Sequence, residues 1–535
     1  DFPRAADLIE VAAHDLRRTR QEATLRRWLD ALPGDVFANR PALAIAHVGA
    51  LLSTGETRGV DARLAAAERW IPASTGPEAR AAAETAGMVV RHPTAADHLP
   101  GAIALYRAAL ARLRGDVEET IRQAQAAYDS PNEDQPLERG AAAGILALAQ
   151  WTGGDLEEAH ATWSRAVADL ERAGHHADML GGSLAMADIR VAQGHLADAR
   201  RTLERGLRLG ATTAPPLRGT ADMHVGLAEL DLEQDDLAAA ISHLDAAAAL
   251  GDAPGLPQNP HRWRVAMAGV RAAEGDLEAA CGLLDEAERV YTADFFPDIR
   301  PIAAVRARLW VRQGRHADAR AWATERGLTV DDPLSYLHEY EHATLALTML
   351  ACAAADGSRG DLDAAAALID RLLAAASAGS RMRSVIELTA MRAVASAIAR
   401  DREASARSMD AALSLAEPEG FVRLLADLGP AAAALVRESA DRSTASRYAR
   451  RLMTAVGEPA AARAQPLVEP LSERELEVLR LLATDLDGPA IASRLFVSLN
   501  TMRTHTKHIF AKLGVNSRRA AVARATELGL LSRTR

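Results

Sequence analysis

The chain has 535 residues, with 62 Lys+Arg against 72 Asp+Glu, a formal net charge of −10 and only 4% aromatic residues. That length exceeds one compact domain, and alanine, about a fifth of the chain, favours helix while strand-forming residues are scarce. Cys281 and Cys352 are too few and too far apart for a disulfide framework or a cysteine-based zinc site, which fits a reducing cytosol, and no uncharged apolar run of ~18 residues is present to span a membrane.

In chain order, residues 1–99 read as a leading helical region broken at Pro33, Pro41 and Pro72. No signal peptide and no initiator methionine precede Asp1, so the chain reads as part of a longer product. From 100 to 440, turn signals recur about every 40 residues. They are Gly115-Asp116, Gly154-Asp155, Gly194-His195, Asp235-Asp236, Gly275-Asp276, Gly314-Arg315, Gly360-Asp361 and Arg400-Asp401, with one longer step before Gly360 ascribed to an insertion around 331–335. Each turn separates two helical patterns. After Gly154, for example, Leu156, Ala159, Trp163, Val167 and Leu170 share one face of a helix expected to run to Arg172. Glycine supplies the left-handed stop of the first helix, and the following aspartate caps the second. Two helices per unit of this period predict an α-solenoid. Residues 441–470 read as a short helix over 443–456 and a Pro/Ala-rich linker over 458–470.

The last segment, 471–535, reverses the charge balance: 11 basic against 6 acidic residues give +5, leaving −15 on the rest. A small basic module on an acidic body is the electrostatic footprint of a nucleic-acid reader. Ser472-Glu473-Arg474-Glu475 is a capping box, followed by an apolar stripe at Leu476, Leu479, Leu482 and Ala483. Gly488-Pro489 restarts the chain into a short second helix around Ile491, Ala492 and Leu495. Ser498 is the expected N-cap of a third helix that buries Met502, Ile509 and Leu513, and Ser517 that of a fourth ending at Gly529. Short helix, turn and longer basic helix form a helix-turn-helix whose third helix can enter the major groove. Arg503, Thr504 and Lys507 lie away from the apolar stripe and are expected to read bases. Ser498, Asn500, Thr501, His505, Lys512 and Arg518 are expected at the DNA backbone.

These residues carry a resemblance. Leu471 to Leu479, Ile491 to Ser498, Asn500 to His505 and Ile509 to Val515 resemble the LuxR-type DNA-binding domain over about sixty residues. The resemblance implies that positions matching Arg503, Thr504 and Lys507 read bases and that the fourth helix supports dimerisation on DNA. Three departures stand out: Met502 for the usual valine, Arg503 where lysine is commoner, and Asp485 to Pro489, which brings two acids near the DNA backbone. Together with Thr24 to Pro33 and Asn39 to Leu43, the solenoid resembles that of the MalT-like, large ATP-binding LuxR-family regulators. The resemblance implies a TPR-like solenoid that senses a small-molecule or protein effector, RNA polymerase as a partner, and an ATP-binding domain absent from these residues. Of 62 basic residues only Lys507 and Lys512 are lysines, and neither ends a glycine-rich phosphate loop, so no cofactor is expected on this chain.

His175, His176, His195, His224, His243 and His316 lack metal-site spacing, and no metal is expected. Trp151, Trp163, Trp263, Trp310 and Trp322 are expected in the core, with a concave ligand surface as the alternative. No catalytic motif is present. The reading is an all-α, cytoplasmic, DNA-binding transcription regulator, with activation the expected direction. The rival is a helical-repeat interaction scaffold with a non-functional DNA-binding terminus.

Overall fold

The alternation of helix and left-handed turn organises the chain. The computed structural model describes residues 1–456, apart from 19–20, 54, 72–80, 82–84, 92–94, 131–134, 213, 252–253, 293–295 and 443–446. Further on it describes 471–513, apart from 485, 487 and 496, and then Val515, Arg518, Ala521, Val522 and Ala525. Among the described residues every regular element is a helix. The chain separates into two compact units, Asp1–Ala455 and Val456–Arg535.

In the first unit the helices Phe2–Arg18, Glu22–Asp30, Pro41–Ser53 and Val60–Glu68 lead into Ala95–Leu113, which opens the paired repeats. The pairs begin with Ala95–Leu113 and Val117–Tyr128, then Pro136–Gly153 and Leu156–Arg172, and end with Met382–Ile398 and Arg402–Ala416. Gly115, Gly154, Gly194, Gly275 and Gly314 all have positive φ, and so do the non-glycine turn residues Asp235 (62°) and Arg400 (66°). The side chains of Asp116, Asp155, Asp236, Asp276 and Asp401 accept hydrogen bonds from the amides three residues on, each worth about 1 kcal/mol to its helix.

One turn differs from expectation. Gly360 lies inside the helix Arg359–Ala378; Gly357 takes the left-handed conformation (φ 75°) and Ser358 caps the helix by accepting from the Asp361 amide. The expected insertion is a tied-down segment leading into the short 3-10 helix Tyr336–His338: Asp332 accepts from the Thr329 amide and Arg371 donates to the Asp332 carbonyl. The short helix expected over 443–456 is Arg447–Val456; residues 443–446 and the linker lie outside the described residues.

Small alanines and glycines set the spacing between repeats. A Cβ on Gly206 would meet the Met223 sulfur at 2.6 Å, and one on Gly269 would meet Leu232 at 2.4 Å. The repeats also curl until distant ones touch. Trp151 Nε1 donates to the Tyr336 hydroxyl at 3.3 Å, across 185 positions. Val422 N donates to the Glu233 carbonyl at 3.0 Å, and Leu424 N to its carboxylate at 2.8 Å. His176–Ala192 also packs on Met382–Ile398, so the first unit closes on itself.

Candidate nucleic-acid interface

Three helices build the described core of the second unit: Glu473–Leu482, Gly488–Arg494 and Leu499–Leu513, with the first two packed on the third. The first helix opens with the full capping box. Glu475 N donates to Ser472 Oγ at 3.3 Å, and Ser472 N donates to Glu475 Oε2 at 2.8 Å. Its buried face is Glu475, Val478, Leu479 and Leu482; of the expected stripe Leu479 and Leu482 are in the core and half-buried Leu476 packs against it, while Ala483 is exposed and Val478 takes its place. Met502, Ile509 and Leu513 of the third helix are buried against Val478, Leu479, Ile491 and Ala492. Of the expected fourth helix, Arg518, Ala521, Val522 and Ala525 are helical and the two alanines are buried; Gly514, Ser517 and Gly529 lie outside the described residues.

The face of the third helix opposite this core is polar. Asn500, Thr501, Thr504, Lys507 and His508 are exposed and His505 is half-buried. From 500 to 507 the helix advances about 10 Å at 1.5 Å per residue, the length of roughly three base-pair steps. Ser498 starts the helix: its Oγ accepts from the Thr501 amide at 3.1 Å and lies 2.7 Å from the Thr501 hydroxyl. The Thr504 hydroxyl donates to the Asn500 carbonyl at 3.1 Å, which leaves its methyl group as the free part. Arg503 stands one turn before Lys507 on the helix, and its side chain lies outside the described part.

Two of the basic residues expected at phosphates are held inside the module. Lys512 Nζ donates to Glu475 Oε2 at 2.9 Å, joining the third helix to the first helix's capping box. Arg518 donates to the carbonyls of Leu482 (2.9 Å), Leu486 (2.6 Å) and Thr484, where the first helix ends in unpaired carbonyl groups. Arg474 does similar work by donating to the Leu495 carbonyl at 2.6 Å. Sequence spacing identifies basic residues but not which of them a neighbouring helix end will claim.

Burial works against charge on Glu475, but the Ser472 amide and hydroxyl and the Lys512 ammonium outweigh it and hold the carboxyl below the usual carboxylate range. A folded value below the unfolded one stabilises fully above the ordinary carboxylate range, and that stability is lost as pH falls through the lowered value. Hydrogen-exchange protection over 471–513 is therefore expected to fall with acid more steeply in the native chain than in Glu475→Gln. Lys512→Ala should lower the module's stability by about 2 kcal/mol, since it strands a largely buried carboxylate. Lys507→Ala, on the exposed face, should leave that stability unchanged in the same exchange measurement.

In the first unit, two histidines expected to be scattered come together. His224 Nδ1 and His243 Nδ1 are 2.9 Å apart, although no metal-binding group of His, Cys, Asp or Glu is found among the described residues. Of the tryptophans, Trp151, Trp163 and Trp322 are buried, and Trp151 also lies in the wall of a half-open cavity.

Comparison with known proteins divides along the same line. Residues 101–442 match the family described as MalT-like TPR region, and residues 469–525 match bacterial regulatory proteins of the luxR family. The probable transcriptional regulatory protein NarL of Mycobacterium tuberculosis is 46% identical over 69 residues, 13% of this chain and 32% of that protein. The oxygen regulatory protein NreC of Staphylococcus aureus is 44% identical over 61 residues, 11% of this chain and 28% of that protein. The chain thus covers about a third of the length of these curated relatives. A solved structure of a Rap protein complexed with competence and sporulation factor aligns with a TM-score of 0.47 at 13% identity, covering 71% of this chain and 98% of that one.

Proposed function

The chain belongs to the family defined by a MalT-like TPR region, and from that premise we propose that it is a sequence-specific DNA-binding transcription regulator. The observation that carries the reading is the polar face of the helix Leu499–Leu513, exposed opposite a buried Met502/Ile509/Leu513 stripe at the end of a helix-turn-helix. Arg503, Thr504 and Lys507 read bases in this proposal. Ser498, Asn500, Thr501 and His505 meet the backbone, while Lys512 and Arg518 hold the helices that aim them. Activation through RNA polymerase, pairing on DNA through the fourth helix, effector sensing by the solenoid and a cytoplasmic setting belong to the same proposal. No catalytic step is part of it. No helix among the described residues is long and apolar enough to cross a membrane.

The test is selection of duplex DNA from a random pool by the full chain, followed by binding to the selected and scrambled duplexes at several salt concentrations. The selected duplex should bind at least ~10³-fold tighter, and affinity should fall with salt as phosphate contacts release counterions. Failure to enrich any sequence would leave the interaction scaffold as the better reading.

With no phosphate-loop lysine, residues 1–535 are expected not to bind ATP in the micromolar range; calorimetric titration of the chain with ATP checks this.

A further inference from the structure

Successive residues of an α-helix are turned by about 100°, so the open side of the helix Leu499–Leu513 can be laid out by angle. With Thr504 at zero, buried Met502, Ile509 and Leu513 fall between about 140° and 180°. The centre of the open face therefore lies close to Thr504. Asn500 and His508 stand about 40° to either side of it, and Lys507 and Thr501 about 60° to either side. His505, half-buried, is turned by about 100°. His508 is thus an exposed residue well inside the face that the helix presents, and nearer its centre than His505.

The hydroxyl groups on this helix already have partners. That of Thr501 lies 2.7 Å from Ser498 Oγ, that of Thr504 donates to the Asn500 carbonyl, and that of Thr506 donates to the Met502 carbonyl at 3.0 Å. His508 makes no hydrogen bond, ion pair or ring contact among the described residues, so its imidazole N–H is available to a ligand. Position along the axis selects the acceptor. In a helix-turn-helix the start of the reading helix meets the base edges. His508 lies one turn past Thr504, about 6 Å further along, and on the same side as Thr501. An imidazole there faces the wall of the groove, where the acceptors are phosphate oxygens.

We propose that His508 is a DNA-backbone contact of this chain, its ring N–H donating to a phosphate oxygen on the side met by Ser498 and Thr501. The proposal rests on the reading of the third helix as the one that enters the major groove. It adds a contact that raises affinity without selecting sequence.

The test uses the full chain with the selected duplex and a scrambled one, at one pH and several salt concentrations. His508→Ala should weaken binding to both by about three- to tenfold and leave their ratio unchanged, because a phosphate contact carries no sequence information. His508→Arg keeps a donor at the position and adds a charge. It should bind both duplexes at least as tightly as the native chain does, and log affinity should fall with log salt more steeply, by about 0.9 in slope. Neither variant should alter hydrogen-exchange protection over 471–513, since His508 holds no other part of the module. Unchanged binding of both duplexes by His508→Ala, or an unchanged salt slope in His508→Arg, would overturn the proposal. A loss confined to the selected duplex would make His508 a base reader and overturn the phosphate assignment. A native chain that binds duplexes but prefers none removes the sequence-specific reading alone, because the variants are still compared on scrambled DNA. A native chain that prefers its selected duplex while His508→Ala binds as it does removes this contact alone, and a native chain that binds no duplex removes both.

Discussion

Arg503→Ala is expected to lower affinity for the selected duplex by about 1–3 kcal/mol, roughly 5- to 150-fold, while binding to scrambled DNA changes much less. The residue lies one turn before Lys507 on the third helix and next to Thr504; Asn500, Thr504 and Lys507 are exposed and face away from the buried Met502 and Ile509. In the proposed base-reading role, a guanidinium would donate to two acceptors of one guanine, and such a bidentate contact carries sequence information. Arg503→Lys should retain the phosphate attraction but lose part of the discrimination, because a single ammonium has no fork. Lys507→Ala should relax preference at a neighbouring position of the duplex. Lys512→Ala is the contrast: its partner is Glu475, so any loss of binding should track loss of folded module and fall equally on all sequences. The measurement is binding of each variant to selected and scrambled duplexes at one salt concentration. An Arg503→Ala chain that keeps its full preference removes the base-reading assignment.

The second large effect is expected at Trp151. The side chain is 1% exposed and packs with Ala147, Leu156, Ala159 and Ile189 in one cluster. It also donates to the Tyr336 hydroxyl from the far side of the closure. Trp151→Ala should destabilise the first unit by about 3–5 kcal/mol, the usual range for deleting a fully buried large aromatic. Trp151→Phe keeps most of the apolar volume and should cost much less. Urea unfolding followed by circular dichroism at 222 nm reads both. A loss below about 1 kcal/mol for Trp151→Ala would show that the site collapses readily and that the contact with Tyr336 contributes little.

The local chemistry of the chain was legible in its residues. A capping box needs only a serine and a glutamate three positions apart, and Ser472 and Glu475 make both bonds. Asp116, Asp155, Asp236, Asp276 and Asp401 likewise cap the helices they precede, because a cap is a contact over three residues. The seventh repeat turn was placed on the wrong glycine because two candidates lie close together. Gly357 with Ser358 offers a stop followed by a cap, whereas Gly360 has no capping partner and continues the helix. On the first helix of the second unit Leu476, Leu479 and Leu482 face the core as expected, but Val478 enters it and Ala483 stays out, a choice made by the packing of the third helix against it.

What the sequence by itself determined is everything that depends on neighbours within a few turns: the all-α class, the repeat of paired helices, the caps, and the helix-turn-helix with Thr504 and Lys507 outside its core. What only the tertiary structure decided is what depends on contacts far along the chain. Lys512 and Arg518 look equivalent to Lys507 as basic residues, and only the folded module shows that Glu475 and the carbonyls at the end of the first helix occupy them. Closure of the first unit is the larger case. Each repeat is rotated slightly on the one before, and the sum of those rotations, not any single motif, brings Trp151 to Tyr336 and Glu233 to Leu424. The cavity lined by these distant repeats exists only because that sum closes, and no pattern of period forty in the sequence records it.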